Sequence, residues 1–201
     1  MSRAKRNRTP ASDGQLDLLE PPSGQSAIVL ASGFVLDLAR PSAAGMPIED
    51  IAQALSSQPR WGGACRPWYS VAEHSVMASH LVPPAFAYDA LMHDCEEFLG
   101  DWPSPVKALL GGERVKEALR PLKEALARRF GFRLDVPEVK VADLACMATE
   151  LRDLLPPHWM NWGHLPPPLP ARIVPVGPER AYAQFMDRYA QLRPAGSVRP
   201  R

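Results

Sequence analysis

At 201 residues the chain has the length of one ordinary domain with tails, long enough to bury a core without disulfides or metal to hold it. With 46% hydrophobic and 22% charged residues it is not a disordered chain. The 23 Lys and Arg against 22 Asp and Glu leave a net charge of +1, which argues against a dedicated duplex-binding protein. No apolar run approaches the ~18 residues of a membrane helix, and the basic N-terminus has no apolar stretch behind it. Neither a membrane span nor a secretory signal is expected. Cys65, Cys95 and Cys146 are odd in number and widely spaced, which fits a reducing cytoplasm better than a disulfide framework. The 23 prolines are the compositional outlier, roughly twice ordinary usage.

Residues 1–26 are polar, with four basic positions among the first eight and no apolar periodicity; they read as a disordered arm, and residues 194–201 as a disordered tail. The domain between them, 27–193, reads as all-α with at most a short N-terminal β-hairpin. The hairpin pairs Ile28-Val29-Leu30 with Phe34-Val35-Leu36 around Ser32-Gly33. A helix over 47–57 opens on Pro47 and places Ile48, Ile51, Ala52 and Leu55 on one face. A loop rich in Gly and aromatics, RWGGACRPWY, fills 60–69. Ser70 as N-cap and Glu73 three residues later form a capping box that opens a helix to residue 81. Further helices are expected over 85–99, 105–110, 113–130, 137–155 and 178–192, with a Pro-rich connection over 163–176.

The helix expected over 85–99 carries HDCEE on an otherwise apolar segment. Burying such charge is costly unless something compensates, and a divalent cation does so through imidazole and carboxylate ligands. Adjacent helical residues point about 100° apart, so His93 and Asp94 can converge on one ion. The dipeptide alone is a weak signal. It gains weight from His74 on the preceding helix, nineteen residues before His93, and from Asp143 on a later one.

In this pattern the sequence resembles the HD-domain phosphohydrolases, and within them the 5'-deoxynucleotidase-like branch, which includes phage enzymes that hydrolyse dATP. The resemblance runs from about residue 33 to 155 and is carried by PIEDIAQALSSQPRW, YSVAEHSV, LMHDCEEFLGDWPSPVK and VADLACMATELRDLL. It implies an HD-domain helical bundle in which His74, His93, Asp94 and Asp143 ligate one divalent ion, whether manganese, cobalt, zinc, iron or magnesium. It gives Glu97 the acid/base role and puts Asp101 near the sugar or the attacking water. Arg60, Lys107 and Lys140 fall where the family holds phosphates, and Trp61 where an aromatic packs on sugar or base. A homo-oligomer is the family's expectation.

The segment between the dyad and Asp101 is one residue shorter than the family's usual HDxxExxxGD. A deletion after residue 97 keeps Glu97 in the role; a deletion before it hands the role to Glu96. The i, i+4 spacing of His93 and Glu97 favours Glu97. Glu150, one heptad after Asp143, is read as a capping or salt-bridge residue near the site. His80 reads as surface, the HWMNWGH segment (158–164) as a packed loop, and Cys95 as a buried inert thiol. The expected function is metal-dependent hydrolysis of a phosphate ester or anhydride of a nucleotide, a deoxynucleoside mono- or triphosphate, set against two other readings: a nucleotide-binding module that has lost turnover, and a nucleic-acid phosphodiesterase using the basic arm.

Overall fold

The protein is described by a computed structural model over residues 26–157 and 163–196. The basic arm, save Ser26, lies outside the described residues, as do residues 158–162 and the end of the tail. Among the described residues the fold is all-α apart from one two-stranded hairpin near the N-terminus.

Strands β1 (Ala27–Val29) and β2 (Val35–Asp37) pair antiparallel with Ile28 opposite Leu36. Period-two alternation sends Leu36 into the core and leaves Val29 and Val35 exposed. The turn is tied down by helix α1 (Ile48–Ser57), whose buried Asp50 accepts hydrogen bonds from the Ser32 backbone N–H at 2.8 Å and the Ser32 hydroxyl at 2.6 Å. The expected apolar face of α1 is the one it buries.

Helix α2 (Val71–Leu81) is the centre of the bundle and packs against α1, α3 (Ala87–Met92), α6 (Pro137–Asp153) and α7 (Pro178–Leu192). Its capping box forms as expected: the Ser70 hydroxyl accepts from the Glu73 N–H at 3.2 Å, and the Glu73 carboxylate accepts from the Ser70 N–H at 3.0 Å. Helices α4 (Ser104–Leu109) and α5 (Glu113–Phe130) complete the set, α5 stopping at a left-handed Gly131. Ile51, Leu55, Leu91, Met92, Leu126, Phe130, Phe185 and Tyr189 fill the core between these helices.

Two expectations about the site's frame are corrected. The single helix over 85–99 does not form. A 3-10 turn at Pro84–Phe86 leads into the six-residue α3, and a second 3-10 segment, Cys95–Leu99, follows it. The cause lies in the dyad. The His93 side chain donates from Nδ1 to the Ala90 carbonyl at 2.8 Å, taking an acceptor from the helix end, and Asp94 leaves helical geometry at φ −108°, ψ 22°. The dyad therefore caps α3 and does not lie mid-helix. The loop 60–69 is likewise tighter than expected. Backbone bonds Arg60 N–H to Tyr69 C=O and Val71 N–H to Gln58 C=O close its neck at 2.9 and 3.0 Å. Inside it a 3-10 turn, Arg60–Gly63, holds Trp61 at φ 58°.

Candidate metal centre and its pocket

The capping box sets where α2 begins and thereby aims His74, four residues on, into the bundle, where it has no exposed surface. Its Nδ1 lies 2.6 Å from Glu150 Oε1. The carboxylate can only accept, so Nδ1 carries the proton and Nε2 presents a lone pair. The same logic applies to His93, whose Nδ1 donates to the Ala90 carbonyl. The two Nε2 atoms face one another at 3.4 Å. Asp94 Oδ2 stands 3.2 Å from the Nε2 of His93 and 3.6 Å from that of His74. Asp143 Oδ1 reaches His74 Nε2 at 3.4 Å.

With both Nδ1 atoms donating, the two Nε2 atoms and the Asp94 and Asp143 oxygens meet at one point, an arrangement that a proton on Nε2 or a bound cation satisfies. The donor atoms of His74, His93 and Asp94 all lie within 4.8 Å of one another. Bonds of about 2.0–2.2 Å to one ion place ligand atoms roughly 3–3.5 Å apart, so the spacings suit a single divalent ion. Asp143 stands beside this trio, on the Nε2 edge of His74. Without an ion the charge falls to His74. Burial and the Arg60 charge push its pKa down, but Glu150 and hydrogen bonds to Asp143 and Glu150 outweigh them and raise it to about 10. A proton or a metal ion must sit there, and imidazole with carboxylate is a metal's donor set.

Arg60 is the hub of the second half of the site. Its buried guanidinium lies 3.2 Å from Glu150 Oε2, 3.3 Å from Asp101 Oδ2 and 3.6 Å from Glu97 Oε2. Burial alone opposes its charge, but these carboxylates outweigh that and hold it firmly protonated. Asp101 also accepts from the Trp61 backbone N–H at 2.9 Å, and the Trp61 indole donates to Glu150 Oε2 at 2.9 Å. Burial, reinforced by Asp94 and Asp101, raises Glu97 well above the usual carboxylate range, against the pull of Arg60 and Lys107. Lys107 Nζ donates to Glu97 Oε1 at 3.0 Å, and Lys140 Nζ to Asp143 Oδ2 at 2.8 Å.

One cavity of about 750 Å³ is lined by all ten candidate residues except the buried His74. Its wall continues along α5 through Lys116, Arg120 and Lys123. Of the two competing glutamates, Glu97 joins the Arg60–Asp101 network, whereas Glu96 pairs with Lys123 at 2.6 Å. The pair of buried Glu96 with half-buried Lys123 was not legible in the sequence, since nothing in either segment names the other. Glu150 does form the ion pair expected of it, but its hydrogen bond to His74 also makes it part of the site. His80 is exposed as expected. Cys95 is buried, and burial first of all raises its thiol well above the ordinary range, so it is unreactive. His158 lies outside the described residues. Among the described residues no helix is long and apolar enough to cross a membrane.

No family model matches the sequence. The chain is 38% identical over 152 residues to the "Uncharacterized protein YfdR" of Escherichia coli (strain K12), covering 72% of this chain and 83% of that one. It is 35% identical over 140 residues to an uncharacterized protein of Rhodobacter capsulatus, covering 62% of this chain and 71% of the relative.

Proposed function

We propose, for a chain that belongs to the family of the Escherichia coli protein YfdR, that this site hydrolyses a phosphate ester or anhydride of a nucleotide with one divalent ion. The observation that carries the reading is the meeting of two imidazole nitrogens and the Asp94 carboxylate within 4.8 Å, on the wall of a cavity of about 750 Å³ that Arg60, Lys107 and Lys140 also line. His74, His93 and Asp94 would hold the ion, with Asp143 as the fourth donor, as in the HD-domain phosphohydrolases that the motifs resemble. Bound there, a divalent ion supplies Lewis acidity toward a phosphoryl oxygen and eases deprotonation of the attacking water.

The chain's own residues supply the rest. Arg60 brings to the cavity wall a guanidinium held by Glu97, Asp101 and Glu150, which would face an equatorial phosphoryl oxygen. Lys107 and Lys140 bring point charges to the same cavity. Together they would offset charge spread over the phosphoryl oxygens in the transition state, the main demand of phosphoryl transfer. Glu97, which lines the cavity, would hold the proton that passes to the leaving oxygen. Its raised pKa suits that role, and such transfer contributes typically 10²–10⁴-fold. Asp101 fixes the backbone of Trp61, whose ring lines the cavity where a base or sugar would lie.

The test is product analysis on ribo- and deoxynucleoside mono- and triphosphates, with manganese, cobalt, zinc, iron or magnesium against a chelator. The expected result is ion-dependent turnover of one nucleotide class. Protein that carries stoichiometric metal and yields no product from any of them would overturn the reading in favour of a binding module. The shortened segment between Asp94 and Asp101 is the feature that favours that second reading.

A further inference from the structure

Glu150 has no exposed surface, and each of its oxygens is committed to a different part of the site. Oε1 accepts from His74 Nδ1 at 2.6 Å. Oε2 accepts from the Trp61 indole at 2.9 Å and from Arg60 Nη2 at 3.2 Å. We propose that Glu150 is a positioning residue that locks the Arg60–Trp61 turn to the metal-facing edge of His74, so that one carboxylate sets both the cavity wall and the affinity of the metal centre. The proposal rests on reading His74 as a metal ligand.

The two halves of this lock are chemically distinct. On the His74 side, the bond to Nδ1 selects the tautomer and fixes the ring's rotation. Outer partners of this kind usually govern ligand basicity and metal affinity. On the other side stands a backbone that needs holding. Trp61 adopts φ 58°, ψ 30°, a left-handed conformation uncommon for a bulky side chain. It is kept there by its N–H bond to Asp101 and its indole bond to Glu150. Glu150 comes from α6, His74 from α2 and the turn from the loop between α1 and α2, so no local sequence constraint makes these contacts for free. A carboxylate present only to neutralise Arg60 would not need Oε1 turned toward an imidazole at 2.6 Å.

The geometry dictates the variants. Glu150 faces three N–H donors: His74 Nδ1, Trp61 Nε1 and Arg60 Nη2. In Glu150→Gln the side chain keeps its shape but holds one acceptor and one NH₂ group. Whichever way the amide turns, a donor meets a donor, either at His74 or at the Arg60–Trp61 turn. Titration calorimetry with manganese on Glu150→Gln is expected to show a dissociation constant raised about 10- to 100-fold. Because removing a buried charge can also impair folding, Trp61→Phe is the second variant. It leaves Glu150, His74 and the charges in place, deletes one hydrogen bond, and contributes no metal ligand itself.

Trp61→Phe is expected to weaken manganese binding about 3- to 10-fold, an effect a wall residue without the lock would not produce. Unchanged manganese affinity in Trp61→Phe, or in a folded Glu150→Gln, would overturn the lock. If the unaltered protein binds neither manganese, cobalt nor zinc, the metal reading of His74 fails and the lock with it. That outcome is distinct from variants that simply match a metal-binding parent.

Discussion

Asp94→Ala is expected to remove both the bound divalent ion and nucleotide hydrolysis, lowering turnover by at least about a thousandfold. The carboxylate stands 3.2 Å from His93 Nε2 and 3.6 Å from His74 Nε2. Without it the centre keeps two imidazoles and Asp143, which reaches the His74 edge and is itself paired with Lys140. In the parent protein, burial opposes the Asp94 charge, but His93, His74 and Arg60 hold its pKa well below the usual range. It is therefore an anion at every working pH, and its loss removes charge as well as a ligand. Asp94 is also among the groups that raise Glu97, so the variant would in addition lower the pKa of the proposed proton donor. Elemental analysis of purified protein beside the nucleotide assay checks both effects. Stoichiometric metal and near-parental turnover in Asp94→Ala would contradict the assignment.

The second large effect is on stability. Arg60→Met removes the counter-charge that Glu97, Asp101 and Glu150 share at 3.2–3.6 Å, leaving Glu97 with Lys107 and Glu150 with its bonds from His74 and Trp61. Breaking a buried pair from one side costs about 3–5 kcal/mol, read as a fall of roughly 2 M in the urea midpoint. The pH dependence has a definite sign. In the parent, burial raises the Glu150 pKa, but Arg60, His74 and the hydrogen bonds from His74 and Trp61 bring it down to about 2. A depressed carboxylate contributes stability above its unfolded pKa, and that stability is lost as pH falls through the folded value. In Arg60→Met the crowded carboxylates shift upward instead. The deficit is then greatest above neutrality and shrinks as the pH falls through their raised pKa values, where they protonate. Urea titrations of both proteins at pH 5 and pH 8 measure it. Equal unfolding free energies at pH 8 would show that the hub contributes nothing.

Much of the frame was legible because it is written in local chemistry. Pro47, the Ser70–Glu73 box, Gly131 and Pro178 mark helix ends wherever they stand, and α1, α2, α5 and α7 start and stop beside them. The 85–99 segment misled because its apolar pattern runs on through a place where the backbone turns. The break comes from the His93 side chain taking the Ala90 carbonyl, a bond that no periodicity encodes. The ten candidate residues were found through motifs, and nine of them line one cavity. What escaped were the long-range partners. Glu150 was visible as a neighbour of Asp143 on one helix face, but its bond to Arg60 spans 90 positions of sequence. Lys123 carries no mark in an amphipathic helix that would single it out for Glu96. Chains signal caps and ligands through residue type and spacing, while tertiary ion pairs depend on packing that neither segment shows alone.

The measurement that bears most directly on the centre is anomalous X-ray diffraction at the manganese edge, from crystals grown with manganese. The expected result is one strong peak enclosed by His74 Nε2, His93 Nε2 and Asp94 Oδ2. A well-ordered site without that peak, or a peak held by other residues, would contradict the metal centre and the hydrolysis built on it.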